Sequence, residues 1–78
     1  MEERIKNVIG LAFNSDVSAM TIADCIPDKI EGWDSLAYLN LVALLEEEFN
    51  TSFDLDDIAA MAQGGETILG VVNKAAGS

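Results

Sequence analysis

The fold is decided by the stretch DSLAYLNLVALLEEEF, which runs from Asp34 to Phe49. At 100° per residue, one side of this stretch is continuously apolar, as in an amphipathic helix that packs on a core. The residues on that side are Tyr38, Leu41, Val42, Leu45 and Phe49. Asp34 is a residue type that caps helix N-termini, so the pattern predicts a helix that begins at Ser35 and ends at Phe49.

On the opposite side of the same predicted helix, Leu36, Leu39 and Ala43 are apolar where a plain surface helix would be polar. This side carries Leu36, Leu39, Asn40, Ala43, Glu46 and Glu47. Two interpretations fit this pattern. Either the helix is packed on more than one side, or this side is a docking face for another protein, with acidic residues at its C-terminal end. We expect the docking face.

Three further helices are predicted from apolar residues at helical spacing. They run from Glu2 to Phe13, from Asp54 to Ala62 and from Glu66 to Ala76, and the last two are separated by Gly64-Gly65. In the short helix, the inward-facing residues are expected to be Leu55, Ile58 and Met61. No segment alternates as a strand would. The sequence therefore predicts an all-α fold, a small antiparallel bundle of three main helices plus one short helix.

A long connection, residues 14–34, separates the first two helices. Connections of this length without regular structure are uncommon in small domains and are often functional. Apolar residues recur along it and are expected to hold it against the core: Met20, Ile22, Ile26, Ile30 and Trp33. A helical turn is expected between Thr21 and Cys25.

Composition narrows the possible functions. The 78 residues suffice for a single domain, 1–78, and carry 14 acidic and 4 basic side chains, for a net charge of −10. Such a charge disfavours binding to nucleic acid or anionic membranes and favours partners with basic patches. No apolar run approaches the roughly 20 residues that cross a bilayer. We expect no membrane insertion and a monomer.

Catalysis by the chain itself is not expected. It has no histidine, which is the commonest general base and metal ligand, and a single cysteine, Cys25. One cysteine cannot form a usual zinc site, so no metal is expected. It cannot form an internal disulfide either, so we expect a reducing, cytoplasmic location. Without a cationic neighbour or base, Cys25 is expected to be a small apolar residue of the core's edge rather than a nucleophile.

Ser35 is the candidate site residue. A serine at a helix start is commonly the cap itself, but here Asp34 can fill that role and leave the Ser35 hydroxyl free. The amide groups and the dipole at the helix start would favour an attached phosphodiester. Leu36, the next residue, offers apolar contact to whatever docks there.

The stretch Asp34-Ser35-Leu36 resembles the attachment motif of the acyl carrier proteins. The following run from Leu41 to Phe49 is similar to the leucine-rich second helix of that family, which ends in Glu-Glu-Glu-Phe. The residues Thr51-Ser52-Phe53, the short acidic third helix, the long first loop and the helix order also match. The resemblance therefore covers essentially the whole chain.

This resemblance implies that a phosphopantetheinyl transferase attaches 4′-phosphopantetheine, taken from coenzyme A, to Ser35 between Asp34 and Leu36. The thiol of the arm would hold acyl groups as thioesters. Partner enzymes with basic docking patches would transfer or condense these groups in fatty-acid, polyketide or related lipid biosynthesis. An apolar acyl chain would be sheltered in a cavity between the helices, lined by Leu45, Phe49, Ile58, Met61 and Ile68.

Three features depart from the fatty-acid carriers. Ala37 and Asn40 stand where those carriers usually have acidic residues, and Gly64-Gly65 is an extension before the last helix. Trp33, before the motif, resembles polyketide and aminoacyl or D-alanyl carriers. These features leave open an aminoacyl or D-alanyl-type carrier. The acidic charge and the apolar residues on the outer side of the second helix leave open a second alternative, a non-catalytic helical interaction module that binds a basic partner and has no prosthetic group.

Overall fold

The computed structural model describes residues 2–77, with side chains through residue 75, and all regular secondary structure in this range is helical. Its four α-helices are α1 (Glu2–Phe13), α2 (Ser35–Phe49), α3 (Leu55–Met61) and α4 (Gly65–Gly77). A single 3-10 turn, Ile22–Asp24, interrupts the long loop before α2. No strand occurs among residues 2–77, so the prediction of an all-α fold, a small helical bundle, is confirmed. No helix in this range is long and apolar enough to cross a membrane.

Side-chain caps fix where the central helices begin and end. The Asp34 carboxylate accepts a hydrogen bond from the Ala37 N–H at 2.8 Å, which makes Asp34 the N-cap of α2, as predicted. Asn50 ends α2 in the left-handed conformation, with φ 51°. Asp54 caps α3 in the same way as Asp34 caps α2, accepting from the Asp57 N–H at 2.8 Å.

The core is built by residues from all four helices and from the long loop. The side chains that are completely or almost completely buried are Ile5, Ile9, Cys25, Leu41, Leu45, Met61, Ile68 and Val72. Burying one large apolar side chain contributes about 1.5–3 kcal/mol, so the burial of these residues stabilises the packing of the helices. The apolar face predicted for α2 is confirmed, with Tyr38 and Phe49 at its partly buried edges.

The long loop is part of the core rather than a flexible connection. Val17, Ile22 and Ile30 are buried, and Met20 and Trp33 pack against the buried cluster. Thr21 caps the 3-10 turn, accepting from the Asp24 N–H, while the Asp24 side chain accepts from the Thr21 N–H. The prediction that apolar residues hold the loop on the core is therefore confirmed for Met20, Ile22, Ile30 and Trp33, whereas Ile26 is half-buried and lies outside the core cluster.

The pair Gly64-Gly65 brings the start of α4 against the long loop. The Gly65 N–H donates to the Cys25 carbonyl oxygen at 2.7 Å. A Cβ atom on Gly65 would overlap the carbonyl oxygen of Ile22. Gly64 has φ 144°, a backbone conformation that favours glycine. The sequence predicted only a helix break at this pair, whereas the structure shows a close packing of two backbones.

Leu55 was expected to face inward, and this prediction is wrong. Its side chain is 83% exposed, while Met61 is completely buried. At 100° per residue, six positions place Leu55 about 120° around the helix axis from Met61, which is outside the buried face of α3. Ile58 lies only about 60° from Met61 and packs partly against the core.

Cys25 is fully buried, and its thiol donates a weak hydrogen bond to the Thr21 carbonyl oxygen, with Sγ and O 3.4 Å apart. Burial raises the pKa of the Cys25 thiol, an effect larger than the opposing effect of the Lys6 charge. The thiol therefore stays protonated at neutral pH and has no access to solvent. The sequence placed Cys25 at the core's edge, whereas the structure buries it completely in the core.

We expect Cys25 to react with Ellman's reagent at least about 100-fold more slowly in the folded chain than in the chain unfolded by guanidinium, because reaction requires local opening. The absorbance of the released thiolate at neutral pH measures both rates. Equal rates in the two states would contradict the buried position of this thiol.

Candidate functional site

The junction between the long loop and α2 sets the position of Ser35. Gly32 has φ 85°, in the region that favours glycine, and its carbonyl oxygen accepts from the Asp34 N–H at 2.9 Å. Asp34 is extended, with φ −122° and ψ 177°. The carbonyl oxygen of Asp34 accepts the first hydrogen bond of the helix, from the Tyr38 N–H at 2.8 Å. Ser35 is therefore the first residue of α2.

The Ser35 hydroxyl is free. Its side chain is exposed, and it makes no hydrogen bond with any residue of the described chain. Since Asp34 fills the capping position, the alternative that Ser35 is the cap is wrong. The hydroxyl is therefore accessible to a modifying enzyme.

The start of α2 offers donors to a negatively charged group. The backbone N–H groups of Ser35 and Leu36 donate to no acceptor in the described residues. Unsatisfied N–H groups and the dipole make a helix N-terminus favourable for phosphate. No acidic residue lies in the first turn of α2, although the capping carboxylate of Asp34 is adjacent. A phosphodiester on Ser35 would lie close to these two amides.

Stacked aromatic rings pack at the junction between the long loop and α2. The Trp33 ring stacks on Phe13 of α1, with centroids 4.5 Å apart, and on Tyr38 of α2, with centroids 6.2 Å apart. The Tyr38 hydroxyl donates to the carbonyl oxygen of Ile58 in α3. Burial raises the pKa of Tyr38, so this hydroxyl remains a donor at neutral pH. Through Trp33 and Tyr38, which are two and three residues from Ser35 in the sequence, these contacts link α1, α2 and α3.

A groove of about 260 Å³ opens beside Ser35. It is lined by Trp33, Asp34, Ser35, Tyr38 and Ala62. Sequence reasoning assigned Trp33 to the loop and Tyr38 to the core, and gave neither a place in the site. Nothing in the sequence pattern indicates that Ala62, just after α3, comes next to the start of α2.

The outer face of α2, which we call the α2 face, comprises Leu36, Leu39, Asn40, Ala43 and Glu47. All five are exposed, and Leu36 and Leu39 have 82% and 57% of their surface accessible. No part of the described chain covers them, so the alternative that α2 is packed on this side is wrong. The α2 face runs from the site along the helix, and Glu47 lies about 18 Å from Ser35 at 1.5 Å per residue.

The three consecutive glutamates at the end of α2 have different surroundings. Glu46, which the sequence placed with the docking residues, is half-buried, and its carboxylate accepts from the Phe53 N–H at 2.9 Å. Glu48 forms an ion pair with Arg4 at 3.0 Å, and the same Arg4 lies over the Phe49 ring. The Glu47 side chain makes no ion pair or hydrogen bond with any described residue. Its carboxylate is therefore the one most available to a partner.

The residues expected to line an acyl cavity are packed in the core in this conformation. Leu45, Met61 and Ile68 are completely buried, and Phe49 and Ile58 are partly buried against them. They pack as ordinary core, and the groove beside Ser35 is lined by other residues. Among the described side chains, no group of three or more cysteine or carboxylate residues is placed to hold a metal ion.

Comparison with known proteins gives one informative match. No protein-family model and no curated protein matches the chain. A chain in the solved structure described as "The ishigamide ketosynthase/chain length factor" has a similar fold, with a TM-score of 0.73 and 26% sequence identity. The match covers 97% of this chain and 93% of that chain. The two chains therefore have about the same length, that of one small domain.

Proposed function

We propose that this chain is an acyl carrier protein, which holds acyl intermediates as thioesters on a 4′-phosphopantetheine arm attached to Ser35. One observation carries the proposal. Ser35 presents a free, exposed hydroxyl at the first position of α2, beside two unsatisfied amides and an exposed leucine. These are the requirements for a tethered phosphodiester and for an enzyme that approaches it.

The attachment step needs chemistry that the chain does not supply. A phosphopantetheinyl transferase would take the proton from the Ser35 hydroxyl, whose Oγ then attacks the β-phosphorus of coenzyme A. The new P–O bond forms on Ser35 as the bond to adenosine 3′,5′-bisphosphate breaks. The chain has no histidine, and Cys25 is buried, so we expect the partner enzymes to provide all the catalytic groups.

The solved match supports a pathway with condensing enzymes. The matching structure is described as a ketosynthase/chain length factor. Condensing enzymes of that kind require acyl units held on a carrier, which is the role proposed for this chain. The matched chain is a small domain of similar length, as a carrier in such an assembly would be. Together with Trp33 before the motif, and with Ala37 and Asn40 in place of acids, this favours the polyketide branch over primary fatty-acid synthesis.

The proposal predicts a defined covalent product. Incubated with coenzyme A and a phosphopantetheinyl transferase, the chain is expected to gain the mass of one phosphopantetheinyl group. Intact-mass spectrometry measures the gain, and fragmentation of the peptide that contains Ser35 locates it. An unchanged mass with several active transferases would refute the carrier role.

The exposed α2 face, considered without Ser35, also fits a second function. A helical interaction module would use Leu36, Leu39 and Glu47 to bind a basic partner and would carry no arm. The mass measurement separates the two functions, because only the carrier is modified. An aminoacyl or D-alanyl-type carrier would be loaded in the same way and would differ only in the group later found on the arm.

A further inference from the structure

Leu11 of α1 is an exposed leucine on a helix whose other large apolar residues are mostly buried. It is 75% exposed, while the neighbouring Val8 and Ile9 are buried. A single exposed leucine is ordinary on a protein surface. Leu11, however, forms the ridge between two grooves. One, of about 240 Å³, lies between α1 and α2, and the other, of about 510 Å³, follows α1 and the start of the long loop.

The smaller of these, which we call the α1–α2 groove, adjoins the α2 face. It is lined by Val8, Leu11, Leu44, Glu47 and Glu48. Glu47 belongs to both surfaces, so the α1–α2 groove adjoins the C-terminal end of the α2 face. The surface available to a partner therefore runs from Leu36, beside the site, along α2 to Glu47 and from there to Leu11 of α1.

Volume and charge indicate what would fill the α1–α2 groove. Its volume is below the range of about 300–1,000 Å³ that is typical of small-molecule pockets, so protein side chains are a better fit than a free ligand. Its apolar walls end in two carboxylates, of which Glu48 is paired with Arg4 and Glu47 has no partner in the described chain. The complementary occupant is an apolar side chain with a cation beside it.

We propose that the α1–α2 groove is the distal end of the docking surface and receives an amphipathic helix of a partner enzyme. An aliphatic side chain of that helix would enter between Leu11 and Leu44, and a neighbouring lysine or arginine would pair with Glu47. Helices commonly bind in apolar grooves in this way. The proposal rests on the proposed carrier role for the kind of partner. A small contact suits a carrier, which must leave each enzyme after transfer.

The test uses two capped helical peptides that carry the same stripe of leucines. Lysines flank the stripe in one peptide, and glutamates flank it in the other. Titration into the isotope-labelled chain, followed by NMR, is expected to show the largest shifts at Leu11, Leu44 and Glu47 with the lysine peptide and no binding of the glutamate peptide. Leu11→Asp is expected to weaken lysine-peptide binding at least about tenfold, as for a central interface contact.

Leu55→Asp is the matched control, because Leu55 is similarly exposed, at 83% against 75% for Leu11, but lies on α3. This variant should bind the lysine peptide as wild type does, and thermal melts confirm that each variant is folded. Glu47→Lys, at another exposed position, is expected to weaken binding similarly and serves as the second variant. The proposed docking role of the α1–α2 groove is refuted by any of three results. They are no binding of the lysine peptide, largest chemical-shift changes outside the groove, or an unchanged peptide affinity in Leu11→Asp and Glu47→Lys.

Loading of wild type at Ser35 is measured separately, so the two proposals fail in distinguishable ways. A chain that takes up no arm but binds the lysine peptide in the α1–α2 groove refutes the carrier role and supports the groove. A chain that is loaded but does not bind the peptide there refutes the groove alone.

Discussion

Ser35→Ala is expected to abolish loading by the phosphopantetheinyl transferase while leaving the helical bundle intact. The substitution removes the only atom that could form the phosphodiester at this position. The hydroxyl makes no hydrogen bond in the described chain, and Asp34 rather than Ser35 caps α2, so little stability depends on it. We expect a change in the free energy of unfolding within about 0.5 kcal/mol. Intact mass and a thermal melt measure the two effects.

Ser52→Ala provides the matched control. Ser52 is also an exposed serine, but it lies in the turn between α2 and α3 rather than at a helix start. This variant should gain the same mass as wild type. Loading of Ser35→Ala, or loss of loading in Ser52→Ala, would place the attachment at another residue.

Gly65→Ala is expected to destabilise the chain more than other changes of a single methyl group. The added Cβ would overlap the carbonyl oxygen of Ile22, which is backbone and cannot rotate away. The Gly65 N–H is also held on the Cys25 carbonyl oxygen at 2.7 Å, so relief requires α4 and the loop to separate. Overpacking of this kind costs about 1–3 kcal/mol or more. In a domain of this size, about 2 kcal/mol lowers Tm by roughly 10 °C.

Gly70→Ala adds the same methyl group elsewhere in the same helix. Gly70 is exposed, and a Cβ there would meet nothing within 4 Å. Alanine is a better helix former than glycine by about 0.5–1 kcal/mol, so Tm should rise. Thermal or guanidinium unfolding followed by circular dichroism compares the two variants. Equal Tm values for Gly65→Ala and wild type would show that α4 does not need this close approach.

The helices could be predicted because their signals are local. The bounds of α1 and α2 agree with the predicted Glu2–Phe13 and Ser35–Phe49, since apolar periodicity and the capping residue Asp34 lie within the segments themselves. The exposed Ser35 hydroxyl follows from the same local reasoning. Leu55 was misplaced because α3 has only two turns, and three apolar residues spaced by three do not all fit on one face.

Contacts between segments distant in the sequence could not be predicted. Nothing local to Gly65 indicates that Ile22 lies against it, and nothing local to Ala62 places it beside Ser35. The different roles of Glu46, Glu47 and Glu48 likewise depend on Phe53 and Arg4. The sequence presents three similar glutamates, and only the tertiary structure shows which one remains unpaired.

Trp33 gives the chain an intrinsic optical label at its site. It is the single tryptophan of the sequence, it is half-buried between Phe13 and Tyr38, and it shares the groove with Ser35. Its emission therefore originates beside Ser35 and nowhere else in the molecule. Attachment of the proposed arm, entry of its cargo and approach of an enzyme are expected to change this fluorescence, which is recorded in real time and without a dye.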